Sequence, residues 1–169
     1  MAISSTDIQF RLSGGASNSD PNASLGGVES STEITDATVN NLYDDVSGDE
    51  SSAGDTEYRC FYVHNAHATL TLQSAKLWIY SNTPDSDTNV QVGLGTAGVN
   101  ATEQTVADES TAPTGVTFSD AANEAGALAI GDIPAGEFMA IWVKRVVNAL
   151  AAAYDADQAT FRVKGQTAA

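Results

Sequence analysis

Residues 133–165 read IPAGEFMAIWVKRVVNALAAAYDADQATFRVKG, and this stretch decides the fold class. A Pro134-Ala135-Gly136 turn opens onto a run in which Phe138, Ala140 and Trp142 alternate with Met139, Ile141 and Val143. A small-residue loop follows, and then Phe161 and Val163 alternate with Arg162 and Lys164. Apolar and β-branched residues at a period of two predict strands, so the stretch is expected to be the closing hairpin of an antiparallel β domain. VVNALAAAYDADQ would be the hairpin loop, with at most one helical turn.

Upstream the same period recurs. In EYRCFYVHN, from Glu57, Tyr58, Cys60 and Tyr62 alternate with Arg59, Phe61 and Val63, which predicts a strand buried on both faces. Leu70 and Leu72 lead into a second strand, with a bulge expected near Gln73-Ser74 before Leu77, Trp78, Ile79 and Tyr80. SNTPDSDT is a loop by its turn chemistry. Val90, Val92 and Leu94 then share one side of a strand in which Gly93 and Gly95 permit a neighbour's close approach. Asn100 to Pro113 reads as polar loop, and short strands are expected at Val116–Phe118 and Leu128–Ile130. Near the N-terminus, Ile8, Phe10 and Leu12 mark a first strand. Seven or eight short strands without an amphipathic helix predict an all-β fold: one antiparallel β-sandwich over residues 1–169, jelly-roll or immunoglobulin-like.

Residues 13–56 are the exception to this rhythm. A compact domain rarely leaves so long a polar stretch structureless. Ile34, Val39, Leu42, Tyr43 and Val46 interrupt the polarity, so the segment is expected to be an ordered loop or arm anchored by those residues, with ATVNNLYDD as a short strand or helical turn.

Composition narrows the function. With 22 acidic residues against 7 basic ones, the formal net charge is −15, which repels phosphate backbones and anionic membranes. Neither nucleic acid nor membrane is an expected partner. The first residues lack a basic segment followed by an apolar run, so synthesis in the cytoplasm without a secretory signal is expected. Cys60, the single cysteine, reads as a small core residue.

No constellation reads as a catalytic kit. Asp44, Asp45, Asp49, Glu50 and Asp55 form an acidic, Gly-containing stretch of the kind calcium favours, but Val46 stands where an EF-hand loop needs a ligand. A solvated loop is the expectation, and no metal ligand is assigned. His64 and His67 flank an expected turn, where their side chains need not converge, and no second pair of ligands lies nearby. GLGTAG, from Gly93 to Gly98, misses the dinucleotide-binding spacing, and neither a G-x-S-x-G elbow nor a Ser-x-x-Lys motif is present. Tyr58, Tyr62, Trp78, Tyr80 and Trp142 could line a sugar-binding face, although alternation makes core positions the default. The chain is therefore expected to be no enzyme, with no catalytic residue and no cofactor.

The segments FRLSGGASNSDPNASLGG, DDVSGDESSAGDTEYRCFYVHN, NVQVGLGT and IPAGEFMAIWVKR, in that order, resemble a group of small virion structural proteins of tailed bacteriophages. The likeness covers nearly the whole chain as texture and segment order, and it carries no functional residues. It implies a component of the virion. Within that class, a capsid decoration or cement protein on the head exterior is expected, acting as a homotrimer or other symmetric oligomer on the major capsid protein. The alternative is a tail-, baseplate- or fibre-associated module that contacts the host surface or its glycans.

Overall fold

The computed structural model describes residues 2–167. Among these lie seven strands: β1 (Ile8–Leu12), β2 (Asp55–Asn65), β3 (Leu72–Ser81), β4 (Thr88–Leu94), β5 (Leu128–Ile133), β6 (Phe138–Val147) and β7 (Thr160–Thr167). One short helix, α1 (Gly48–Ala53), precedes β2. Four strands form an antiparallel sheet in the order β1-β2-β6-β4, and three form a second in the order β5-β3-β7. The fold is an all-β sandwich.

From β3 onward, every strand lies in the sheet opposite its predecessor. Residues 133–165 therefore do not form a hairpin. β6 pairs with β2 and β4, whereas β7 pairs with β3. The reason lies in the two strands' faces. β6 is apolar on both sides, with Met139, Ala140, Ile141, Trp142 and Val143 all buried, and it takes a central place with a neighbour at each edge. β7 has one apolar side, Phe161 and Val163, and serves as an edge. Residues 148–159 cross the roughly 10 Å between packed sheets with ease.

The order also departs from the immunoglobulin pattern, whose A-B-E-D sheet would place the fifth strand where β6 stands and whose second sheet centres on the sixth strand, not the third.

Other expectations fare unevenly. The bulge in β3 falls between Leu72 and Ala75, where Ser74 takes φ +50° and donates its N–H to Asp132 Oδ1 at 2.8 Å. Val116–Phe118 forms no strand. Only the following Ser119 bridges to Val92, because Val116 and Phe118 face the sheet as plugs. Gly93 makes room for them: a Cβ there would lie 2.5 Å from Val116 Cγ1. Residues 37–45, ATVNNLYDD, are turns, bends and irregular chain, neither strand nor helix.

Two apolar clusters result. Leu12, Phe61, Val63, Leu77, Ile79, Val92, Ile133, Ile141 and Val143 fill the space between the sheets. On the outer face of the larger sheet, Cys60, Tyr62, Ala140 and Trp142 form a second core beneath Leu25, Val106, Val116 and Phe118. That covering layer of loops explains why β2 is buried on both sides. Part of it comes from residues 13–54, which lie against the body: Ser24 accepts from the Cys60 N–H at 2.8 Å, and residues 30–34 bond along the free edge of β1. Ile34, Leu42 and Tyr43 pack on the core, whereas Val39 is 81 % exposed.

Candidate functional site

Charged side chains are buried together where β2 and β6 leave the inter-sheet core. Register places Glu57 opposite Arg145, and alternation sets Arg59 on the same face. Glu57 pairs with Arg145 and Arg59 with Glu109, while Asp44 lies 3.6 Å from Arg145 and 4.0 Å from Arg59. Tyr43 sits against both guanidiniums, its ring centroid 4.6 Å from the Arg145 Cζ and 5.4 Å from that of Arg59. Its hydroxyl donates to the Val143 carbonyl at 2.8 Å, and burial pushes the phenol far up, so it stays neutral. Burial also raises the Glu57 carboxyl, against the opposing hydrogen bond and charge of Arg145. Removing water from such ions costs about as much as their attraction returns, so the cluster specifies how the excursion seats on the sheet more than it stabilises it.

A second buried acid, Glu103, anchors the covering layer. Burial pushes its carboxyl up, but donors from the Ala97 N–H (3.0 Å), the Gln104 amide (3.2 Å) and the Thr96 hydroxyl (3.1 Å) oppose it, and the group is held below the ordinary carboxylate value. The Glu103 N–H donates to the Tyr62 hydroxyl at 3.2 Å, and that hydroxyl donates to the Gly27 carbonyl. Two loops thus meet over Trp142, the β1–β2 excursion at Gly27 and the β4–β5 connection at residues 96–104.

The residues singled out in the sequence disperse. His64 is the last-but-one residue of β2, before the connection to β3; its Nδ1 is 2.9 Å from Glu29 Oε1 and its ring stacks on Phe138. His67 uses Nδ1 to accept from the N–H groups of Thr69 and Leu70. Of the acidic stretch, Asp44 joins the arginines, Glu50 closes a capping box with Ser47 on α1, and Asp55 opens β2. Gly93 to Gly98 leaves β4 without a helix, and the Ala97 N–H there serves Glu103. Tyr62 and Trp142 are wholly buried, Trp78 is nearly so, and only Tyr80 is broadly exposed, with Arg162 stacked 3.2 Å from its ring centroid. Cys60 is free and buried, its thiol pushed up by burial and so poorly nucleophilic.

Glu57 and Glu103 are the buried acids and Glu109 is the half-exposed partner of buried Arg59; sequence reasoning passed over all three as site residues. Glu103 and Glu109 stand in a polar loop with no local mark of burial. Glu57 could have been suspected, because it begins a strand with two apolar faces and so must be buried with a partner.

Two surface grooves, of about 190 and 240 Å³, lie away from these acids, beside Ile34 and Val39 and beside Leu72 and Val163. Both fall short of the roughly 300 Å³ of a small-molecule site. Among the described residues no helix is long and apolar enough to cross a membrane. Compared with family models, curated proteins and solved structures, the chain matches none.

Proposed function

We propose that the protein is a non-enzymatic virion structural component: a capsid decoration or cement protein that binds the outer surface of a phage head as a homotrimer and stabilises it. The observation that carries this reading is the placement of charge on the body. Lys76, Arg162 and Lys164 are the exposed members of the chain's seven cations, and all three stand on the outer face of the smaller sheet beside Trp78 and Tyr80. Lys76 is directly opposite Lys164, an arrangement that costs stability unless something acidic answers it; within the chain Glu124 does so in part, 2.7 Å from Lys164.

The opposite character gathers at the end where β2 and β4 begin and β6 finishes. Asp49, Glu50, Asp55, Asp85, Asp87, Asp155 and Asp157 lie on α1, at the start of β2 and on the two loops there, together with exposed Leu150 and Tyr154. Two chemically opposed surfaces on one body suit head-to-tail contacts that close into a ring, and an acidic partner surface on the shell. The resemblance to small virion proteins of tailed phages points the same way. A tail position with glycan contact would want the aromatic rings displayed, and Tyr62 and Trp142 are buried.

The test combines a light-scattering mass with co-sedimentation on expanded, undecorated capsids. A trimer that binds saturably and raises the shell's resistance to heat is expected, and Arg162→Glu with Lys164→Glu should reduce both association and binding. A monomer that leaves such capsids bare and is missing from purified particles overturns the reading.

A further inference from the structure

One buried carboxylate oxygen is left over by the ion-pair network. Glu57 is 1 % exposed; its Oε2 is taken by Arg145, and its Oε1 meets no hydrogen-bond donor. An unpaired oxygen on a buried acid is costly enough that native structures answer it with a donor, an ordered water or an ion. Glu57 shares its surroundings with two groups of acids. In the first, Asp44, Glu57 and Glu109, the space already holds the guanidiniums of Arg59 and Arg145. In the second, Glu50, Asp55 and Glu57 each bring one carboxylate oxygen within 4.8 Å of the others. Among the described residues neither Glu50 nor Asp55 forms an ion pair.

We propose that Glu50, Asp55 and Glu57 bind a calcium ion where α1 hands the chain to β2. The donors are all carboxylate oxygens, which select a hard cation over zinc or copper. Two oxygens on opposite sides of a calcium ion are about 4.6–5.2 Å apart, a span that contains the observed grouping. Glu50 and Asp55 are half-buried, which leaves room for water to complete a shell of six to eight. Charge favours the ion too: Asp44, Glu50, Asp55, Glu57 and Glu109 set five negative charges against the two of Arg59 and Arg145. The backbone holds two ligands in place, Glu50 by its capping box with Ser47 and Asp55 by its pairing with Val147. The site does not depend on the virion reading; it would serve any role that needs the acidic end of the sandwich fixed.

The test is calorimetric titration of the chelator-treated full chain with calcium chloride, with thermal unfolding followed in chelator and in calcium. One saturable site with a Kd of roughly 0.1–1 mM is expected, the range of rim-exposed calcium modules, with an unfolding midpoint that rises with calcium. Asp55→Asn and Glu50→Gln should each weaken binding at least tenfold; both are near-isosteric, and Gln preserves the capping box. Asp120→Asn, remote from the site, should bind as the parent does. No heat and no midpoint shift in the parent chain overturns the proposal and leaves water as the partner of Glu57. An equal response in all three variants overturns it as well, since that is diffuse attraction to an acidic surface.

Discussion

Gly26 shows how tightly the covering layer is drawn onto the sheet. Its φ of +90° is one that side chains rarely adopt, and a Cβ there would fall 1.9 Å from the Gln104 carbonyl oxygen and 3.0 Å from the Trp142 ring. Both neighbours are fixed, one by its bridge to the Gly26 segment and the other by complete burial. Gly26→Ala is expected to destabilise the protein by about 2–5 kcal/mol, combining backbone strain with overpacking, as read from urea unfolding midpoints. Glu103, on the same layer, sets a pH dependence. Its folded carboxyl titrates below the ordinary 4.5, so its contribution is whole above that value and is lost as pH falls through the lower, folded one. Thermal midpoints of the parent should therefore drop in acid. Glu103→Gln should be less stable at neutral pH by about 1–3 kcal/mol and show a shallower acid decline.

At the scale of elements, the instructive strand is β2. Tyr58 to Val63 announce a strand with two buried faces, because both alternating sets are bulky and largely apolar. What covers the second face could not be read, since it arrives from two loops, 24–27 and 103–118, whose composition is polar. The hairpin expected over residues 133–165 failed for a related reason. Period and turn chemistry locate a strand but do not choose its partner, and the partner of Phe161 and Val163 is β3, far upstream. Glu103 and Glu109 carried no local signal at all, and Val116 and Phe118 resemble strand residues while acting as plugs. The excursion offers a direct check on this layering. Replacing residues 14–53 by a short Gly-Ser linker uncovers Cys60, Tyr62 and Trp142 and should yield an aggregating or unfolded chain by light scattering and near-UV dichroism. A monodisperse variant that melts with the parent would show that the body is complete without the excursion.

For the molecule as a whole, the sheet-switching order sets the kinetics. No two strands are joined by a tight hairpin turn: β1 and β2 pair only across the long excursion between them, and the closest residues paired between two strands are Leu94 and Ile141. Each pairing must close a long loop before any ladder bond rewards it. Refolding is expected to be slower than that of hairpin-rich sandwiches of this size, at seconds or longer in stopped-flow dilution from urea; a millisecond phase of full amplitude would contradict this. The same order bears on how the protein is made. β2 leaves the ribosome long before β6, its central neighbour, exists, so Phe61, Tyr62 and Val63 wait for that neighbour while nearly half the polypeptide is translated. Nascent fragments ending anywhere before Val147 have no finished sheet to shelter in. A cell producing this chain in quantity must keep those intermediates apart, by chaperone capture or by the mutual repulsion of their many carboxylates.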